Sequence, residues 1–410
     1  MTEPAITLEW IRRLPKAELH VHLDGSLRIP TLLDLAREHE ISLPSHTEGG
    51  LLETVFKERY EGLAEYLHGF QYTVAALQTA EALQQVAREL AEDNQQEGVL
   101  YLEVRFAPQL HAHSGLDPVG AIEAVDRGLR QARDSFNARA EVREGRLPPF
   151  EYGIICCAMR RFSPAFSRYY ATLFAAHPYA KPKELFAMAS MELARAAIIA
   201  RDQRGLQVVG FDLAGEEAGY PAGDHREAYD YAHRHFLNKT VHAGEAYGPE
   251  SIFQAVTDLH AERIGHGTYL LQADAIRDSS IEDPEDYVRR LGTYIADQRI
   301  TLEVCLTSNL QTTPQLERLE DHSFRELRAH RLSTAICTDN RLVSNTTLSR
   351  ELMLACQHLG LDRHDLKSVV IYSFKRSFFP GSYLRKRHYV RQVIDCYERL
   401  EGEAGLRPPA

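Results

Sequence analysis

The sequence predicts an α/β protein, a (β/α)8 barrel with additional helices over its mouth, on three observations. Short apolar runs alternate with longer stretches of helical periodicity, eight of the short runs can be counted, and most are apolar at consecutive positions. Alternating strands and helices imply a parallel sheet, and unbroken apolar runs imply strands buried on both faces. Eight such units suggest a closed barrel rather than an open sheet.

The expected strands are 18–23 (ELHVHL), 99–106 (VLYLEVRF), 152–158 (YGIICCA), 206–214 (LQVVGFDLA), 239–243 (KTVHA), 263–267 (RIGHG), 301–306 (TLEVCL) and 333–338 (STAICT). Between them, 29–39, 77–96, 119–136, 185–203, 249–260 and 346–360 carry apolar residues at helical spacing. Two segments exceed a minimal barrel: 40–76, a loop and helical stretch placed to cap the mouth, and 137–184, which flanks the third strand with polar and Tyr/Phe/Pro-rich sequence. The tail beyond 361 reads as two further helices. All 410 residues are expected in one domain, since such barrels often run past ~250 residues.

Composition narrows the function. A net charge of −11 with 44% hydrophobic residues describes a globular chain and argues against nucleic acid or polyanionic partners. The six cysteines form no CxxC pair and sit mostly in apolar runs, as reduced core thiols do. The first residues, MTEPAITLEWIRRLP, hold no signal-peptide core, and no apolar run reaches the ~18 residues of a membrane span. The expectation is a cytoplasmic protein without membrane or nucleic-acid partners. Composition leaves the oligomeric state open.

The chemistry lies in where ionisable residues fall. Strand ends of a barrel converge on one face, where active sites are built. Strand one ends in His20-Val21-His22, and two histidines two apart on a strand point to the same side. Strand five ends in His242, with Glu245 three residues on, strand six in His266, and strand eight in Thr338-Asp339-Asn340. Histidines and one carboxylate, with a position left for water, suit zinc; iron or cobalt would also fit. An all-oxygen set, as Mg²⁺ or Ca²⁺ would require, is absent.

These residues resemble the adenosine deaminase family within the amidohydrolase barrels. The matching stretches are AELHVHLDGSL (17–27), LAEYLHGFQYTVAALQT (63–79), YLEVRFAP (101–108), GFDLAGEE (210–217), HAGE (242–245), RIGHG (263–267), VCLTSN (304–309) and CTDN (337–340). The resemblance implies hydrolytic deamination of adenosine or 2′-deoxyadenosine with one Zn²⁺ per chain, held by His20, His22, His242 and Asp339. It implies that Asp339 and His266 activate water, that His266 stabilises the developing oxyanion, and that Glu245 protonates purine N1. The backbone of Gly215 would meet purine N3, Asp24 the ribose 5′-hydroxyl, and Tyr66 and Phe70 would cover the nucleoside; His22 also borders the substrate. Ser308 and Asn309 would stand behind the site.

One position departs from the family, which usually has a second aspartate where this chain has Asn340. That residue contacts purine N7, an acceptor. Asparagine always carries N–H donors, whereas aspartate must first be protonated, so the contact is expected to survive. Another 6-aminopurine remains an alternative substrate: adenine, an N6-modified adenine nucleoside or aminodeoxyfutalosine. AMP is disfavoured because HVHLDG lacks cations, although Arg28 follows closely. A two-metal amidohydrolase is disfavoured because strand four, at Asp212-Leu213-Ala214-Gly215, offers no lysine. A non-catalytic growth-factor-like binding protein is the remote reading.

Overall fold

A computed structural model describes residues 6–404. Its centre is eight parallel strands: β1 (Lys16–His22), β2 (Val99–Phe106), β3 (Glu151–Met159), β4 (Val208–Ala214), β5 (Asn238–Ala243), β6 (Arg263–His266), β7 (Thr301–Val304) and β8 (Ser333–Ile336). They are hydrogen bonded in chain order, which is the (β/α)8 arrangement. The seam between β8 and β1 is a single parallel bridge, Val21 to Asp339. There the His22 N–H donates to the Asp339 carbonyl at 2.7 Å, and the Asp339 N–H donates to the His20 carbonyl at 2.9 Å. Barrel closure and the juxtaposition of His20, His22 and Asp339 are therefore one set of hydrogen bonds.

The strands form where expected because their residues are buried on both faces; in β2 all eight are. Their limits shift by up to two residues. β1 begins earlier, at Lys16, whose ammonium is buried and donates to the Ile11 and Leu14 carbonyls at 2.6 and 2.8 Å. β7 stops early because the chain turns at Cys305 into the helix Leu306–Thr312. The covering helices start at side-chain caps. Thr79 accepts from the Ala82 N–H ahead of Ala80–Gln96, and Asp117 accepts from Gly120 ahead of Pro118–Asn137, which has proline at its first position. Two further covering helices, Arg226–Arg234 and Pro284–Gln298, are not among those the periodicity singles out.

In the segment 40–76, the short helix Glu48–Thr54 is followed by one helical run in which the 3-10 turn Leu67–Gly69 joins Leu63–Tyr66 to Phe70–Ala76. The segment docks on the loops after β7 and β8. Tyr60 donates to the Val343 carbonyl at 3.1 Å, and Arg59 donates to that of Leu316 at 3.1 Å. After β3, the helix Arg168–Ala176 lies across the same end. The tail forms two helices, Arg363–Arg376 and Tyr383–Glu403. All six cysteines are unpaired, five buried and Cys356 half-buried. No described helix is long and apolar enough to cross a membrane.

The barrel interior is not apolar throughout. Arg105, Arg263, Glu103, Asp212 and Glu303 project into it with almost no exposure. Arg105 reaches Asp212 at 3.0 Å, Glu303 at 2.8 Å and the Leu19 carbonyl at 2.7 Å. Arg263 donates to Glu303 at 2.6 Å and also pairs with Glu103. Buried charges are tolerable only when paired and hydrogen bonded, so removing one member leaves the others uncompensated. Arg105→Met should therefore lower the unfolding free energy by about 3–5 kcal/mol. Denaturant titration checks this, and an unchanged midpoint would show that Asp212 and Glu303 are satisfied without Arg105.

Candidate active site

The strand ends of the barrel open into a cavity of about 750 Å³. His22, Asp24, Tyr66, Phe70, Gly215, His242, Glu245, His266, Asp339 and Asn340 all line it, and His20 is buried directly behind. The sequence thus nominated residues that the fold gathers from the ends of five strands, β1, β4, β5, β6 and β8. The cavity's outer wall comes from 63–75 and 161–171, within the two segments that exceed a minimal barrel, and from Gln78 just beyond the first.

At the floor, one ligand atom from each of His20, His22, His242 and Asp339 lies within 4.8 Å of the others. Which nitrogen each imidazole presents follows from the charges behind it. His20 Nδ1 lies 2.9 Å from Glu303, and His242 Nδ1 lies 3.0 Å from Asp212. Arg105 and Arg263 hold Glu303 well below the usual carboxylate range, outweighing burial; His242 and Arg105 do the same for Asp212. An anionic carboxylate can only accept, so both Nδ1 atoms carry protons, and in the neutral ring the lone pair is on Nε2.

The consequence is that the Nε2 atoms of His20 and His242 face Asp339 and His22 across the cavity floor. His20 Nε2 is buried with no hydrogen-bond partner and lies 3.3 Å from Asp339 Oδ1. His22 Nε2 is 3.1 Å from His242 Nε2 and 3.5 Å from Asp339 Oδ1. With neutral rings, these nitrogens and Asp339 form a donor set that fits a divalent cation with nitrogen and oxygen ligands. A second group, Glu245, His266 and Asp339, shares Asp339 and meets the same distance limit.

The loops that carry these side chains are braced. Glu217, which the sequence did not single out for a role, accepts from the N–H groups of Gly244, Glu245 and Ala246 at 2.8, 3.1 and 2.8 Å. Arg160 donates to the His242 carbonyl at 2.7 Å. His266 and Asp339 are both left-handed, at φ 66° and 61°, an uncommon state outside glycine. Gly215 also needs positive φ, at 97°. Glu245 is raised to about 8, chiefly by burial and then by the Asp339 charge. Asp24 is buried with Oδ1 unpartnered. Ser308 donates to Asp339 Oδ2 at 2.6 Å, and Asn309 is 3.0 Å from His266 Nδ1.

Tyr66 is placed differently from a simple cover. Its hydroxyl is buried, accepts from Asn340 Nδ2 at 2.8 Å and lies 2.8 Å from Ser344 Oγ, while its ring meets Tyr60 edge-on. Asn340 also explains why residue 25 is glycine: a Cβ there would lie 1.8 Å from Asn340 Oδ1. Phe70 is half-buried on the cavity wall.

No role is assigned from sequence to Glu303, Arg105, Arg263, Glu217 or His322. A signal existed for the first three, because a charged residue within an otherwise apolar, doubly buried strand must be paired inside. Glu217 and His322 lie in loops, where spacing carries no such signal.

A family model described as adenosine deaminase matches residues 15–395. The chain is 36% identical to adenosine deaminase 1 of Streptomyces coelicolor, over 90% of its own length and 84% of the relative's. It is also 36% identical to an adenosine deaminase of Mycobacterium avium, covering 93% and 94%. Among solved structures it is similar to the N6-methyl-AMP deaminase of Arabidopsis thaliana, with 27% identity, a TM-score of 0.70, and 96% and 100% of the two chains covered.

If Glu303 fixes the His20 lone pair, Glu303→Gln should weaken divalent-metal binding by about 10- to 100-fold. Competition against a chromophoric chelator measures this. Unaltered affinity would mean that His20 is oriented by packing alone.

Proposed function

The chain belongs to the adenosine deaminase family, and from that premise we propose that it hydrolyses adenosine and 2′-deoxyadenosine to inosine and 2′-deoxyinosine with release of ammonia. The observation that carries this reading is the cluster of histidine lone pairs and Asp339 at the floor of a cavity walled by Glu245, His266 and Asn340. His20, His22, His242 and Asp339 would hold one Zn²⁺. Zinc bound there would lower the pKa of a water toward neutrality and supply the nucleophile.

The chain's own residues supply the remainder. Burial favours the protonated form of Glu245, as a donor to purine N1 requires. Proton delivery there draws electron density from C6 and prepares it for attack. Asp339, a carboxylate on the cavity floor, is an acceptor for the proton that the attacking water gives up. His266 Nε2, buried without a partner, is available to hydrogen bond the oxygen at C6. Glycine at 215 lets the purine approach the backbone near N3. The second Nδ2 proton of Asn340, beyond the one given to Tyr66, is available for N7. Phe70 covers the base from the cap. Tyr66 contributes through its hydroxyl as well as its ring.

The ribose end favours a nucleoside over a 5′-phosphate. The unpartnered Asp24 Oδ1 accepts a hydroxyl proton and repels an anion. Arg28, the cation nearest in sequence, is bound to Asp93 at 2.6 Å, and Arg161 on the cavity wall is bound to Glu216 at 2.5 Å; Arg168, the other arginine lining the cavity, is solvent-exposed. Among the described residues no lysine lines the cavity, which supports one metal rather than a lysine-bridged pair.

Ammonia release from adenosine, deoxyadenosine, adenine, AMP and N6-methyladenosine, with and without chelator, tests the reading. Turnover of the two nucleosides, lost on chelation and far exceeding that of AMP, is expected; turnover of adenine but not adenosine would defeat it. Glu245→Gln should keep its metal by elemental analysis yet lose about 10²- to 10⁴-fold in kcat. Asn340→Ala should cost about 1–3 kcal/mol in kcat/KM for adenosine, the usual cost of an unpaired polar contact. Unchanged efficiency in both Asn340→Ala and Asn340→Asp would remove the N7 role.

A further inference from the structure

A chain of hydrogen bonds behind His266 has a fixed direction. Its anchor is the Phe324 backbone N–H, which can only donate, and it donates to His322 Nδ1 at 3.0 Å. His322 Nδ1 is thus an acceptor, and the ring's proton is on Nε2. His322 Nε2 lies 3.2 Å from Asn309 Oδ1, so the Asn309 oxygen accepts and its amide orientation is set. Asn309 Nδ2 then faces His266 Nδ1 at 3.0 Å and donates to it. His266 Nδ1 is an acceptor, and its proton sits on Nε2. All three side chains are buried, so water does not compete for these bonds. The direction follows from the anchor alone and requires no assumption about charge on either ring.

We propose that Asn309 and His322 are positioning residues that lock His266 as the Nε2–H tautomer, so that it faces the reacting centre as a hydrogen-bond donor and not as a base. His266 Nε2 has no hydrogen-bond partner among the described residues and lies 3.6 Å from Glu245 Oε1. A donor there stabilises negative charge that develops on the oxygen added to C6. It does not take a proton from water, and of the two residues the family resemblance assigns to water activation, that task falls to Asp339. The same proton disqualifies His266 as a ligand, because a metal needs the lone pair. The group formed by Glu245, His266 and Asp339 is therefore not a second metal site, although its atoms are close enough.

The test combines ring-nitrogen NMR with kinetics, and only its kinetic arm rests on the deaminase reading. In protein labelled with ¹⁵N-histidine, metal-free and zinc-loaded, the His266 signals are assigned by their loss in His266→Asn. The wild type should show a protonated Nε2 and an unprotonated Nδ1. Asn309→Asp puts an acceptor on both sides of position 309 and should move the His266 proton to Nδ1. Zinc content should stay at one per chain, while kcat for adenosine falls by about 10²- to 10⁴-fold, as it does when a catalytic imidazole is held in the wrong tautomer. His322→Gln keeps an N–H toward Asn309 and should retain the wild-type His266 shifts. A protonated Nδ1 in the wild type overturns the proposal, and so does an Asn309→Asp enzyme with switched tautomer and wild-type kcat. The wild-type shift decides the tautomer even where a variant does not fold. A wild type that shows the Nε2–H tautomer but releases no ammonia from adenosine would count against the deaminase reading instead.

Discussion

The arrangement of the site depends on Arg105 lying between Asp212 and Glu303 inside the barrel. A guanidinium is always charged, so the two carboxylates beside it stay anionic and can only accept. They therefore take the Nδ1 protons of His20 and His242 and turn both Nε2 lone pairs to the cavity floor. Without that charge each imidazole could reverse its tautomer, and the same four residues would no longer present a set of acceptors. The cost of burying ions is offset by the number of hydrogen bonds each one receives: Glu303 accepts from His20, Arg105, Arg263 and Thr240.

Much of this was legible in the sequence, for identifiable reasons. Strands buried on both faces leave unbroken apolar runs, so the barrel could be counted out directly. Histidines at consecutive strand ends could be assigned to one face because parallel strands share a direction. Helix boundaries such as 77–96 against Ala80–Gln96 missed by a few residues because the cap, Thr79, lies inside an apolar-periodic stretch. Arg226–Arg234 was harder to see, since polar residues dominate its sequence. What could not be read was direction in space beyond the strand. Tyr66 reads as a covering aromatic, yet its hydroxyl binds Asn340 from 274 residues away. His322 gives no signal at all, because a loop has no period and its value lies in a bond to Asn309.

Two of the strand-end residues also pay in backbone conformation. His266 and Asp339 are left-handed, a state that costs of order 1–3 kcal/mol for a non-glycine residue and persists only where surroundings over-determine it. Asp339 is held by both backbone hydrogen bonds of the barrel seam and by Ser308 on its side chain. His266 is followed by Gly267, whose N–H bonds the Ala243 carbonyl at 3.0 Å, and its ring is held by Asn309. The bend turns each side chain out of the strand's in-and-out alternation and over the cavity floor, where a regular strand could not direct two successive functional groups.

Hydrogen-bond direction then divides the site into two halves. On one side, carboxylates that cannot donate take the Nδ1 protons of His20 and His242, as the proposed metal site requires. On the other, a backbone N–H that cannot accept sets His266 as a proton donor toward the substrate's oxygen. The three imidazoles are chemically identical and their rings lie within 4.6–5.3 Å of one another. Proximity therefore does not distinguish ligand from donor. The distinction is made one residue further out, by groups whose own role is fixed by charge or by the peptide bond, and it is transmitted inward through rings that have only two ways to hold a single proton.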